Sequence, residues 1–149
     1  MINDQGYMII ARAVPDVLLR EVTESIELFG TGKEIAQSTR NLLERAPVVA
    51  TLARSQAIRA LVEPILGSNC FAVRGILFDK TPAANWKVPW QQDLSIAVKQ
   101  RVEIEGYGPW SVKNGVTHVQ PPVEVLEQMV TVRLSVDDCF ADNGRPGVV

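Results

Sequence analysis

The side chains best suited to chemistry form a short polar run directly after Trp90. The amides of Gln91 and Gln92 are followed by the carboxylate of Asp93. Carboxylate and amide oxygens bind hard cations, whereas iron and zinc sites usually add imidazole or thiolate ligands. The chain has a single histidine, His118, and two cysteines that lie far apart in the sequence. It therefore cannot assemble a His-rich or Cys-rich metal site from its own side chains.

Several segments, in a fixed order, carry a family resemblance. They are Phe78 to Asp93 (FDKTPAANWKVPWQQD), Gly106 to Trp110 (GYGPW), His118 to Pro122 (HVQPP), Thr131 to Leu134 (TVRL) and Asp137 to Cys139 (DDC). With Gly6-Tyr7 and the helical region, they resemble the phytanoyl-CoA dioxygenase family over nearly the whole chain. Members of that family are non-haem iron oxygenases that depend on 2-oxoglutarate and are built on a double-stranded β-helix.

The resemblance implies an iron site of the facial-triad type. In such a site two histidines and one carboxylate hold Fe(II), and the remaining positions take 2-oxoglutarate and O₂. The family's first two ligands form a His-x-Asp motif after a tryptophan. Here Trp90 is that tryptophan, Gln91 stands at the histidine position and Asp93 is the aspartate. Asp93 and Gln91 are thus the predicted metal-site residues.

The remaining family ligands lie further downstream than the residues of this chain. They are a second histidine and an arginine that pairs with the distal carboxylate of 2-oxoglutarate. With Asp93 and Gln91 alone, at most two protein ligands are present, and a glutamine oxygen is a weaker donor to iron than imidazole. We expect no catalytic residue in this chain, doubtful binding of Fe(II) and 2-oxoglutarate, and no hydroxylation by the chain alone.

Other side chains admit two interpretations. By family resemblance, Gln92, Arg74 and Lys80 could face the co-substrate, although Arg74 and Lys80 could equally be solvated or salt-bridged surface charges. The chain's tryptophans could line a pocket, but as large aromatics they are more often core anchors; they are Trp86, Trp90 and Trp110.

His118 and the cysteines have a favoured structural interpretation. His118 could be a metal ligand or an acid–base group, but a loop histidine satisfied by backbone or solvent is the favoured reading. Cys70 and Cys139 could form one disulfide, but free thiols are favoured in a chain without a signal peptide.

Composition and charge restrict the class of protein. The 149 residues suit one domain with an apolar core, and 46% hydrophobic with 21% charged residues is ordinary for a globular protein. A net charge of −2 gives no electrostatic reason to expect nucleic acid or an anionic membrane as partner. The N-terminus lacks the features of a secretory signal, so a cytoplasmic location is expected.

Helices are predicted in the first half, at about residues 14–67. Leu18, Val22, Ile26 and Phe29 form one apolar helical stripe, which begins near Pro15 and ends near residues 30–32. Further helices are expected between residues 38 and 67. Their predicted boundaries are a new turn at Pro47, an N-cap at Ser55, a kink or split at Pro64 and an end at Gly67.

Strands are predicted in the second half, at about residues 70–149. Residues 70–78 read as a strand covered on both faces, and residues 94–98 as another. Residues 106–122 read as a loop, and residues 6–10 as a short strand. The alternation from Met129 to Asp137 predicts a half-buried strand with one face formed by Val130, Val132, Leu134 and Val136.

The expected architecture is α+β, one domain over residues 1–149. N-terminal helices pack on an incomplete double-stranded β-helix, a jelly-roll or cupin-like fold, since the family continues past residues 143–149 into further strands. Three explanations fit such an incomplete fold. They are a truncated or frameshifted reading of a longer gene, a degenerate copy, and a fragment that completes itself by association. The leading hypothesis is a truncated, metal-site-deficient dioxygenase relative, whose exposed strand edges would allow self-association. The alternatives are a non-catalytic small-molecule-binding module and a remnant without selected function.

Overall fold

The protein is known from a computed structural model that describes residues 5–30, 38–80 and 88–140. The described helices are α1 Asp16–Gly30, α2 Leu42–Arg45, α3 Pro47–Arg54, α4 Gln56–Leu66 and α5 Val123–Leu126. The strands are β1 Ser38–Thr39, β2 Leu77–Phe78, β3 Ile96–Val98, β4 Trp110–Lys113 and β5 Val116–Val119. Helices thus precede most of the strands, and the predicted α+β class is confirmed.

Helix α1 forms where the apolar stripe predicted it. Its first turn starts behind Pro15, whose carbonyl accepts a hydrogen bond from the Leu19 amide at 3.0 Å. Val22 is buried on the stripe, and Leu18 and Ile26 pack beside it. A helix with one apolar face gains most of its stability by packing that face against a neighbour. For α1 that neighbour is α3.

Helices α3 and α4 follow the predicted capping signals. Pro47 is the first residue of α3, a position at which its missing N–H costs no helical hydrogen bond. The Ser55 hydroxyl accepts a hydrogen bond from the Ile58 amide, as expected of an N-cap. Helix α4 runs through Pro64 without interruption, so the predicted split at that proline is wrong.

The cluster of buried apolar residues in the described ranges is small and belongs to the helical half, while Val119 of β5 is buried apart from it. Val14, Val22 and Leu52 are buried together, and partly buried apolar side chains of α1, α3 and α4 surround them. Leu134 and Val136 also pack on this cluster. The segment from Met129 to Asp137 is not a strand, so that prediction is wrong. Leu134 and Val136 of the predicted apolar side pack on helices, whereas Val132 of that side is 41% exposed.

Two antiparallel sheets complete the described fold. Strands β1 and β2 pair through Ser38 with Phe78 and Thr39 with Leu77. The second sheet has the order β3-β5-β4, in which both neighbours of β5 run antiparallel to it. The strand predicted at residues 94–98 is present as β3. Residues 70–76 and 6–10 contain no strand, and Phe71 and Ile9 are among the exposed apolar side chains.

The β4–β5 hairpin replaces the loop predicted at residues 106–122. Asn114 and Gly115 connect the strands with φ angles of 50° and 79°. Positive φ at both central residues is the signature of the tight turn that matches strand twist, and Asn-Gly is its preferred sequence. The prediction of a loop is wrong, because this dipeptide between apolar flanks favours a hairpin.

Within the three described ranges, no helix is both long and apolar enough to span a membrane. Cys70 and Cys139 are free thiols, as predicted. The predictions for residues 1–4, 31–32 and 141–149 and for Trp86 lie outside the described residues.

Truncating Val22 tests the helical core. Val22 is 2% exposed and Val17, on the same helix, is 59% exposed. We expect Val22→Ala to lower the free energy of unfolding by about 2 kcal/mol, through lost burial and an unfilled cavity. Val17→Ala is the matched control and should change it by less than about 0.5 kcal/mol. Urea unfolding followed by circular dichroism measures both, and equal losses would contradict the described core.

Candidate functional site

Two of the predicted site residues lie next to each other. A guanidinium nitrogen of Arg74 is 3.9 Å from a carboxylate oxygen of Asp93, and their side chains are 28% and 70% exposed. Arg74 precedes Gly75 on the segment leading into β2, and Asp93 lies on the segment leading into β3. The pair therefore bridges the connections to the two sheets. At this distance and exposure it contributes little to stability.

The rest of the polar run faces solvent. Gln91 and Gln92 are exposed, and the Trp90 side chain is 70% exposed. The prediction that Trp90 is a core anchor is therefore wrong. Lys80 is half-buried and has an interaction partner. Arg74 and Asp93 are thus the predicted residues that the structure joins directly.

The donor set at Asp93 does not fit an Fe(II) site. Its carboxylate lies beside a guanidinium, whose positive charge disfavours a second cation at the same oxygens. The neighbouring amides are exposed. Over the described ranges, no three His, Cys, Asp or Glu side chains come together as a ligand group. We therefore derive no chemical step through iron at this position.

A cleft lies beside the Arg74–Asp93 pair. The cleft is partly open to solvent and has a volume of about 30 Å³, which is room enough for water. Three parts of the chain line it: the start of α2, the segment before β2, and one face of the β3-β5-β4 sheet. The lining residues are Arg40, Asn41, Glu44, Val73, Arg74, Gly75, Ala97, Val116 and His118.

His118 is the most buried polar side chain of this cleft, with 2% of its surface exposed. It lies on β5 opposite Ala97 of β3 and Ser111 of β4. Its Nδ1 is 2.9 Å from the Val116 carbonyl oxygen. Its Nε2 is buried and has no hydrogen-bond partner within the described structure. His118 thus lies on a strand, so the prediction that it is a loop histidine is wrong. A backbone carbonyl is the hydrogen-bond partner of one of its two ring nitrogens.

The cleft is lined by two arginines and one glutamate, and Asp93 beside Arg74 supplies a second carboxylate, so the charges balance. The arginines are Arg40 and Arg74, and the glutamate is Glu44. Arg74 is engaged by Asp93, whereas the ion pairs found in the described part of the chain do not include Arg40. A guanidinium presents several donors in a planar fork suited to oxyanions. Arg40 was not singled out by the sequence, since an isolated arginine carries no signal of its position.

The third tryptophan lies on the other side of the sheet. Trp110 pairs with Val119 in β5, one residue beyond His118, so the two side chains point to opposite faces. Trp110 is half-buried, and its indole N–H is buried without a partner among the described residues. The Arg101 guanidinium lies 5.5 Å from the centre of its ring. Trp110 therefore does not line the cleft.

Comparisons with family models, curated proteins and solved structures find no match to this chain. The resemblance to the phytanoyl-CoA dioxygenase family therefore stays a prediction from the sequence segments that carry it.

Proposed function

We propose that this chain is a relative of the phytanoyl-CoA dioxygenases that does not hydroxylate a substrate by itself. The observation that supports this most is the state of Asp93, the one iron ligand that the resemblance leaves in the motif. Its carboxylate is exposed and lies beside the Arg74 guanidinium. Metal binding there has to displace or overcome that cation, and the glutamine at the adjacent family position is a poor substitute for imidazole.

The finer fold belongs to the same proposal. Strands β3, β5 and β4 form an open antiparallel sheet, which we assign to an incomplete double-stranded β-helix. The sheet's order and antiparallel pairing support this assignment, because a jelly roll is built from antiparallel strands. A cytoplasmic location also stays a prediction.

A specific observation favours a second function, that of a non-catalytic binding module. The cleft beside Arg74 combines an arginine outside the described ion pairs with a buried imidazole nitrogen that lacks a partner. Buried polar atoms normally have a partner, which can be protein, water or ligand. The same cleft needs no metal for such binding.

Incubation with Fe(II), ascorbate and 2-oxoglutarate tests the leading proposal. We expect no succinate above that of a heat-killed sample, because one exposed carboxylate and amide oxygens do not form a facial triad. The measurement is succinate by chromatography and mass spectrometry, with an active dioxygenase as positive control. Succinate in excess of the heat-killed sample would overturn the proposal.

Restoring the motif histidine tests whether the metal site lacks more than this one ligand. We expect Gln91→His to produce no succinate either, because an imidazole at position 91 and Asp93 supply only two ligands. Gln92→His is the matched control, since it adds the same side chain at the middle position of the motif. Turnover in Gln91→His but not in Gln92→His would show that another group completes the site, and would contradict this proposal.

We propose that the partner of this chain is a second copy of itself, bound through the edges of its strands. Strand β4 is an outer strand of its sheet, and Val112 on it is 70% exposed. Unpaired strand edges template pairing with further strands. We expect concentration-dependent association in sedimentation equilibrium, weakened by Val112→Lys because the charge resists burial. Val123→Lys, at a residue of α5 that is 58% exposed, is the control. A monomer at all concentrations would exclude this partner.

A further inference from the structure

The turn between β4 and β5 is suited to a chemical modification that needs no enzyme. We propose that Asn114 of this turn converts to aspartate and isoaspartate through attack of the Gly115 backbone nitrogen, and that the isoaspartate product opens the β4–β5 hairpin. The exposure of the turn, its amide groups without hydrogen-bond partners and its two-residue length support this. The modification requires neither iron nor the family resemblance.

The reaction needs only the two turn residues and water. The Gly115 nitrogen bonds to the side-chain carbonyl carbon of Asn114, the bond from that carbon to the side-chain nitrogen breaks, and ammonia leaves with the proton from Gly115. The product is a cyclic imide. Water then opens the ring at one of its two carbonyl carbons. Opening at the side-chain carbon gives aspartate, and opening at the backbone carbon gives isoaspartate, in which the main chain runs through the former side chain.

The reacting groups of the turn are exposed and have no hydrogen-bond partners. Asn114 and Gly115 are both exposed, and apart from the chain neighbours nothing lies within 4 Å of the place where a Cβ on Gly115 would be. Within the described structure, neither the Gly115 amide nor the Asn114 side chain takes part in a hydrogen bond. Because glycine has no Cβ, its nitrogen is also the least shielded of any residue's.

Two other asparagines of the described ranges are in the opposite state. In each of them, the backbone nitrogen that would attack is already a hydrogen-bond donor. The Leu42 amide, which follows Asn41, donates to a backbone carbonyl oxygen at 3.1 Å. The Cys70 amide, which follows Asn69, does so at 3.3 Å. Both of these following residues also carry a Cβ. Asn114 is therefore the asparagine of the three that is open to attack.

Attack requires the turn to open. The φ angles of 50° at Asn114 and 79° at Gly115 belong to the closed tight turn, in which the Gly115 nitrogen is turned away from the side-chain carbon. Lys113, the last strand residue before the turn, is exposed as well. Exposed hairpin ends open at little free-energy cost. The rate of modification in the folded chain is therefore set by how often this turn opens.

The two products affect the hairpin differently. An Asp-Gly dipeptide fits the same tight turn as Asn-Gly, so the aspartate form keeps the hairpin. Isoaspartate adds a methylene to the main chain between Lys113 and Val116, which pair across the turn. A turn with a longer main chain no longer matches this register. Because Val116 and His118 of β5 both line the cleft, the isoaspartate form also changes the cleft.

Incubation of the folded full chain in mildly alkaline buffer tests the proposal. Peptide mass spectrometry measures the replacement of an amide by a carboxyl group at each asparagine, and electron-transfer fragmentation separates isoaspartate from aspartate. We expect Asn114 to convert about tenfold or more faster than Asn41 and Asn69. The rate should fall in mildly acidic buffer, because hydroxide removes the proton from the attacking nitrogen. The same measurement in urea gives the rate for a fully open turn.

A matched variant separates the modification from general ageing. Asn114→Gly keeps the tight turn, since Gly-Gly is also accepted there, but removes the amide that reacts. Hydrogen exchange of residues 116–119 should become about tenfold faster in the isoaspartate fraction of the aged unaltered chain. It should stay unchanged in the aged Asn114→Gly chain and in fresh Asn114→Asp, which carries the other product.

Two outcomes would overturn the proposal. One is an Asn114 that stays intact in the folded chain over a time in which it converts in urea, since the turn would then protect it. The other is an isoaspartate fraction whose residues 116–119 exchange as slowly as in the fresh chain. Neither outcome bears on the succinate assay, so the modification and the proposed function fail separately.

Discussion

The described site depends on one close backbone approach, that of Gly75 to the start of α2. The Leu42 amide donates to the Gly75 carbonyl oxygen at 3.1 Å. A Cβ on residue 75 would lie 3.3 Å from Leu42 Cβ and from Leu43 Cγ, closer than packed side chains usually come. Glycine therefore lets the segment before β2 lie against the helical half. This contact brings Arg74 beside Asn41, whose side-chain amide also donates to the Asn114 carbonyl oxygen in the β4–β5 turn at 3.3 Å.

Because the buried core is small, few contacts hold the residues of the cleft in place. Large apolar side chains are left exposed in the described ranges, with Ile9 and Phe71 87% and 81% exposed. Each such side chain forgoes about 1.5–3 kcal/mol of burial. Exposed apolar surface of this kind supports the proposal of self-association.

The helical half could be predicted from the sequence because its signals are local. The stripe on α1, Pro47 at the start of α3 and Ser55 before α4 each act within a few residues. The strands could not be predicted as well, since apolar runs become strands only where a partner pairs with them. Residues 70–76 lack such a partner in the described structure, whereas the β4–β5 hairpin forms on a local signal, Asn114-Gly115. The family resemblance indicated Arg74 and Asp93 as site residues. The place of His118 in the cleft follows only from the register of the β4–β5 hairpin.

Arg74 links the two functions considered for this chain, because one guanidinium serves two neighbours. It lies beside the Asp93 carboxylate and also lines the cleft that contains His118. An anion bound in the cleft would compete with Asp93 for the same guanidinium. Binding at the two positions would then be thermodynamically coupled, and the coupling would act equally in both directions. An iron site at Asp93 would need Arg74 to lie elsewhere. The position of this one side chain therefore supports the proposal that the chain does not hydroxylate a substrate by itself.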